Sequence, residues 1–190
     1  MAGNRINIKN LHYAKITGDD ESATTYDTPV HVLGAMQIAL TPSVATGTLY
    51  GDGVIRDELA KQTGIGVQLD LNKLPVVHRA AMLGNTLKNG VLVENEADTP
   101  PEMALGFEVE QTGGKSEFVW LLKGKMAPIT NTIQQTTENV NFSTDTTTMT
   151  FMPRKSDGDI KYYADTTEEN MEHITAESWF EEVGIPVPTP

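Results

Sequence analysis

Between Asp98 and Met126 the chain reads as two long strands joined by a tight turn, and this hairpin limits what the chain can fold into more than any other stretch. In DTPPEMALGFEVEQTGGKSEFVWLLKGKM, Leu105, Phe107 and Val109 alternate with Gly106, Glu108 and Glu110. A period of two puts one set on a buried face and turns the other toward water. Thr112-Gly113-Gly114-Lys115 supplies the turn, because glycine takes positive φ without steric cost and hairpin turns between right-twisted strands demand it. The return strand differs. Phe118, Val119, Trp120, Leu121 and Leu122 are apolar in succession, so both of its faces are expected to be covered. A single small domain rarely covers both, and the hairpin is therefore expected to be built into something larger.

The same period runs through most of the chain. Ile6, Ile8 and Leu11 begin a first strand, and residues 30–40 read as one long strand bent at Gly34. Ile65, Val67, Leu69 and Leu71 alternate with Gly66, Gln68, Asp70 and Asn72, the clearest half-buried strand in the sequence. Val91 to Val93 is a short strand. The threonine-rich residues 129–151 suit two more, since β-branched side chains fit a pleated surface. Ser156-Asp157-Gly158-Asp159 turns the chain into a last strand, Ile160 to Ala164.

Two segments read as helices. Pro75 suits a first helical position, Val76, Val77, Ala80, Ala81 and Leu83 form an apolar stripe, and Gly84 supplies a left-handed stop. This helix is expected to pack across a sheet, with His78 and Arg79 facing solvent or a neighbour. The second starts at Thr175 as N-cap, with Ile174 stapled to Trp179 and with Phe180 and Val183 buried, while Glu177, Glu181 and Glu182 point away. Residues 185–190, IPVPTP, form an extended arm, because three prolines remove donors and fix φ. The expected fold is mainly β: one β-sandwich over residues 1–184, a flanking helix, a short C-terminal helix, a long loop and extended terminal arms.

That loop is residues 41–64, far longer than the ~4 to 6 residues usual between elements of a compact domain. It carries Leu49, Tyr50, Val54, Ile55 and Leu59, which need a surface to bury against. Either the loop folds back as a lid over its own sandwich or another molecule covers it.

Charge and composition exclude several classes. Among 190 residues, 14 basic against 26 acidic give a net charge of −12, which opposes tight binding to DNA or an anionic membrane. Much of the excess lies between Asp157 and Glu182, where nine acids face Lys161 alone, and a solvated face accounts for it. No cysteine is present, so there is no thiolate nucleophile, no cysteine zinc site and no disulfide, as suits folding in a reducing cytoplasm. No apolar run approaches the ~18 residues of a membrane span, and the N-terminus has no signal-like apolar core. Without such a signal the Asn141-Phe142-Ser143 sequon is a chance match.

The chain offers no catalytic, cofactor or metal site. Gly114-Lys115-Ser116 ends like a P-loop, but Val109 stands where the first glycine belongs and a hairpin replaces the required helix. His12, His31, His78 and His173 are scattered without metal-ligand spacing. Gly51-Asp52-Gly53 and Asp157-Gly158-Asp159 lack the remaining oxygens of a calcium loop and are better read as turns. No GxSxG elbow supports a hydrolase.

Five stretches, taken in order and spacing, carry a resemblance. They are NLHYAKIT at 10–17, PVHVLGAMQIALTP at 29–42, LYGDG with GIGVQLDLNKLP at 49–53 and 64–75, GVLVEN with TPPEMALGF at 90–107, and SDGDIKYYADTTEEN with ITAESWFEEV at 156–183. Together they resemble the major tail protein family of long, non-contractile-tailed bacteriophages. The resemblance implies a tail-tube sandwich, hexameric rings stacked into a hollow tube through which phage DNA passes without tight binding, and a place in the virion tail after assembly in the host cytoplasm. It also implies tape measure, tail terminator and distal tail proteins as partners, no enzymatic activity, and ring stacking through the loop bearing Leu49, Tyr50, Val54, Ile55 and Leu59. Asp70, Glu108 and Glu110, on the polar sides of the best alternating strands, become candidates for the lumen wall. Two alternatives stand beside this reading. One is a secretion-system tube protein of similar architecture. The other is an acidic sandwich that binds glycans through exposed aromatics, although Trp120 lies in an apolar run suited to a core.

Overall fold

In the computed structural model, which describes residues 3–131, 133, 135 and 143–186, the period-two stretches form strands and the chain is mainly β. In chain order the elements are β1 (Arg5–Asp19), β2 (Thr24–Tyr26), β3 (Val30–Val32), β4 (Ala35–Gly51), β5 (Val54–Leu71), α1 (Val76–Leu83), β6 (Thr86–Lys88) and β7 (Val91–Val93). They continue with β8 (Met103–Gln111), β9 (Lys115–Met126), β10 (Thr130–Asn131), β11 (Asp145–Phe151), β12 (Lys161–Asp165) and α2 (Ala176–Phe180). One antiparallel sheet runs β2-β1-β8-β9-β11-β5-β4, with β3 on β1, β12 on β9 and β10 on β11. β6 and β7 form a separate hairpin.

The inner face of this sheet collects Leu11, Tyr13, Leu69, Leu105, Phe107 and Phe151 into one core. Side chains of β1, near one end of the strand order, and Ile38 and Leu40 of β4, at the other, pack on the same cluster. The sheet therefore curls until its ends face each other, which gives the two facing layers of a sandwich. α1 closes part of this core with Ala80, Met82 and Leu83. Its stripe is rotated from the expected one: Val76 and Val77 are exposed, and Met82 takes their place inside. The expected left-handed stop at Gly84 is present, and Pro75 is the N-cap rather than the first helical residue.

Strand β9 is covered on both faces, as expected, but by the chain itself. Val119 and Leu121 face the inner core, while Phe118, Trp120 and Leu122 face a second cluster closed by Ile174, Trp179 and Phe180. The Trp120 ring lies across β8 above Gly106, where a Cβ would stand 2.6 Å from it, so this position admits only glycine without a shift. Trp120 Nε1–H donates to the Trp179 carbonyl at 3.0 Å. Thr175 caps α2 through a reciprocal box with Ser178, as its position predicts, but the helix ends at Phe180. The full cover on β9 is thus no evidence for a partner, because residues 174–180 already supply the second layer.

Three further expectations change. Residues 30–40 are two strands and not one. At Gly34, with φ of 96° and Asn72 Oδ1 only 2.0 Å from where a Cβ would sit, the chain leaves β3 beside β1 and enters β4 beside β5. The N-terminus is not a free arm over its described part, since Asn4 exchanges hydrogen bonds with Thr112 at the end of β8. Residues 41–64 are no loop. They belong to the β4–β5 hairpin, whose turn is Asp52-Gly53. The threonine-rich region yields β10 and β11, and the strand expected at Ile160 to Ala164 is β12. Residues 136–142, with most of the sequon, and 187–190 of the proline-rich arm lie outside the described residues.

Candidate assembly site

β5 is held by β11 only from Ile65 to Leu71 and by β4 along its whole length. Beyond that point residues 43–64 pair only with each other among the described residues and form an arm of about ten residues per strand. At ~3.3 Å per residue the arm projects roughly 30 Å from the sheet. Leu49, Tyr50, Val54, Ile55 and Leu59 are between 54% and 70% exposed on it. The register sorts them. Gly47 stands opposite Leu59, Leu49 opposite Asp57 and Gly51 opposite Val54, so Leu49, Val54 and Leu59 share one face. Tyr50 stands opposite Ile55 and shares the other face with Val44. An isolated two-stranded ribbon is marginal in water, and this one carries bare apolar side chains on both sides.

The curled sheet leaves a second feature where its ends meet. A cleft of about 470 Å³ lies between the start of β1 and β4, with Ile8, Ile38, Leu40 and Val109 among its apolar walls and Arg5 and Lys161 at its rim. Glu117 lies against it and takes hydrogen bonds from Arg5 Nε and Nη2 at 2.8 Å. Burial alone would raise the Glu117 carboxyl, but the Arg5 and Gln111 hydrogen bonds outweigh it and hold the group below the usual range.

The three carboxylates singled out on alternating strands share the outer face of the sheet but not one environment. Asp70 is half-buried and accepts from Thr146 Oγ1 at 2.8 Å. Glu110 is half-buried, 3.7 Å from Lys9 Nζ. Glu108 is only 3% exposed; it accepts from Asn10 Nδ2 at 2.6 Å and Ser116 Oγ at 2.5 Å, with Lys9 at 3.3 Å. The expectation that Glu108 faces a lumen is therefore corrected. The turn and residues near Thr166 to Ala176 lie over that part of the sheet, and the carboxylate is paired inside the subunit.

Other charged groups are matched in the same structural way. Lys123 and Asp19, with side chains 6% and 7% exposed, form an ion pair, with Glu102 at 3.7 Å. Burial alone would raise the Asp19 carboxyl, but Lys123, Thr24 and the Lys155 N–H hold it below its ordinary range. Arg154 bonds to Asp157, Tyr26 and Tyr162. His12 stacks between His31, at 4.7 Å, and Phe180, at 4.3 Å, while His78 meets Tyr13 edge-on. Among the described residues no three His, Asp or Glu side chains converge as a metal site, and no helix is long and apolar enough to cross a membrane.

Comparison with known proteins adds the decisive observation. No curated protein matches the chain. Among solved structures the chain is similar to one titled "Structure of Hcp1 from Flavobacterium johnsoniae", at 7% identity and a TM-score of 0.38, over 81% of this chain and 98% of that one. A family model described as phage tail tube protein matches residues 6–182, nearly the whole sequence. The chain belongs to the phage tail tube protein family.

Proposed function

We propose that copies of this chain join into hexameric rings, that the rings stack through the β4–β5 arm into a hollow tube, and that phage DNA passes through this tube to the host. The coarser statement follows from the family alone: the chain is a tail tube subunit, a structural component of the virion tail and not an enzyme. The observation that carries the stacking role is the arm itself. It projects from the sheet with Leu49, Tyr50, Val54, Ile55 and Leu59 exposed, so its apolar faces await a neighbouring subunit. Ring closure follows from the sheet's open ends. Unpaired edge strands invite uncontrolled pairing, and joining them between neighbours in a closed ring removes them. Asp70 and Glu110 are proposed for the lumen wall, where carboxylates would repel a passing polyanion within a Debye length of ~8 Å. Tape measure, tail terminator and distal tail proteins would set length and ends.

Shortening the arm tests the stacking role. Replacing residues 47–59 by Asn-Gly, a two-residue hairpin turn that keeps Thr46 opposite Ala60, removes the exposed apolar tip without touching the core. The variant is expected to keep the wild-type circular dichroism spectrum and to form no tubes by negative-stain microscopy at concentrations where the wild type does. Tubes of wild-type repeat from the shortened chain would reject the assignment.

A further inference from the structure

We infer that the arm of one subunit seats, by its Leu49, Val54 and Leu59 face, in the β1–β4 cleft of a second copy; the inference rests on the stacking role of the arm. Shape is the first argument. The three side chains project from one face of the ribbon, and their cross-strand partners include Gly47 and Gly51, so they stand clear of neighbours. The cleft offers a concave apolar surface of about 470 Å³ with Ile6 exposed at its lip.

Backbone hydrogen bonding is the second. β1 pairs β8 on one side, and on the other meets β3 only at Leu11 to Tyr13 and β2 only from Ile16, so its first residues have a free edge there. A strand laid along this edge, which is not one of the sheet's two ends, gains main-chain hydrogen bonds in the manner of β-augmentation. Charge is the third. The tip carries Asp52, Asp57 and Glu58 against Arg56 alone, whereas the cleft carries Arg5 and Lys161 against Glu117. A net-acidic tip therefore meets a net-basic rim.

Symmetry agrees, and the area is that of one part of a larger ring-to-ring contact. One face of a ribbon ~30 Å long and ~10 Å wide covers roughly 300 Å², well below the ~800 Å² per partner of a stable interface. Each subunit, however, would donate one arm and receive another, so the contact counts twice per copy. Arm and cleft are different surfaces of the same molecule, so their union is heterologous and propagates along an axis without closing on itself.

The absence of cysteine makes the test clean. A chain carrying Leu59→Cys and Ile6→Cys, oxidised after tube formation, is expected to give a ladder of covalent multimers on a non-reducing gel that collapses with reductant. A control chain carrying Leu59→Cys and Val91→Cys should give none. In parallel, Asp57→Lys, on the seating face opposite Leu49, is expected to block tube formation and the added Lys161→Glu to restore it. Tubes that oxidise without a link beyond the control, or a Lys161→Glu change that restores nothing, would overturn the seating. If the cysteine pair itself prevents assembly, the charge pair decides. Failure of this seating is distinguishable from failure of the stacking role, because only the latter lets the shortened arm build tubes.

Discussion

Trp179→Ala measures how much of the fold depends on the cover that residues 174–180 lay over β9. The indole is 2% exposed and tilts against Phe118 with ring centroids 5.9 Å apart. A buried tryptophan removes ~150 to 250 Å² from water. At ~25 cal/mol per Å² that is about 4 to 6 kcal/mol as an upper figure. Measured truncations of large aromatics cost ~3 to 5 kcal/mol, a large share of the ~5 to 15 kcal/mol that holds a domain folded. We expect a loss of about 3 to 5 kcal/mol in urea denaturation. Trp120 and Trp179 are the two tryptophans, so the variant leaves Trp120 as the sole tryptophan, and loosening of the segment should shift its emission, excited above the tyrosine band, to the red. Trp179→Phe should recover most of the loss, because the indole N–H is buried without a hydrogen-bond partner. A loss below ~1 kcal/mol with unchanged Trp120 emission would refute the reasoning. The second face of β9 would then depend on something other than this segment.

Asp19→Asn leaves the buried Lys123 ammonium with only Glu102 at 3.7 Å, and breaking such a pair costs ~3 to 5 kcal/mol. Adding Lys123→Met should return much of that loss in the same urea titration, and a double variant no better than Asp19→Asn would count against it. His12 makes stability fall on acidification. Burial, with His31 beside it, pushes its pKa below the ordinary value despite the bond to the Asn10 carbonyl, so the folded state favours neutral imidazole. Its contribution is complete above the unfolded pKa of ~6.5 and is lost as pH falls through the lower folded value. The groups around the site are His31, Glu177 and Glu181. Between pH 7.5 and 5 the wild type should lose more melting temperature than His12→Gln, and parallel curves would refute the assignment.

What was legible in the sequence was what the chain buries against itself. The β8–β9 turn, the strand from Ile65 to Leu71 and the Thr175 cap were readable because one face of each element is dry within the subunit, and a dry face writes its period into the residues. α1 exists where expected, but its rotation was not readable. With eight residues and apolar side chains at six positions, Val76, Val77, Ala80, Ala81, Met82 and Leu83, several stripes fit equally, and the sheet below selects Met82 over Val77. The switch at Gly34 was hidden for a similar reason. Val30 to Leu40 is continuously strand-like, and which neighbour each half pairs with is a matter of tertiary register.

The arm reads as a loop in the sequence because it has no dry face within the subunit. Period-two reasoning requires apolar residues to fall on one side, whereas Leu49 and Leu59 face one way and Tyr50 and Ile55 the other. Register shifts after Ser43 and after Leu49 break the count further. A usable signal was present in Thr41, Val44, Thr46 and Thr48, since β-branched residues at this density favour extended backbone over a loop. Glu108 and Glu110 show the complementary limit. Alternation assigns both to the polar side of β8, two residues apart, yet Asn10, Ser116 and Lys9 enclose the first while the second meets solvent. A place on the polar face is thus not sufficient for a residue to reach solvent. The neighbours decide, and two of the three, Lys9 and Asn10, come from the other end of the chain.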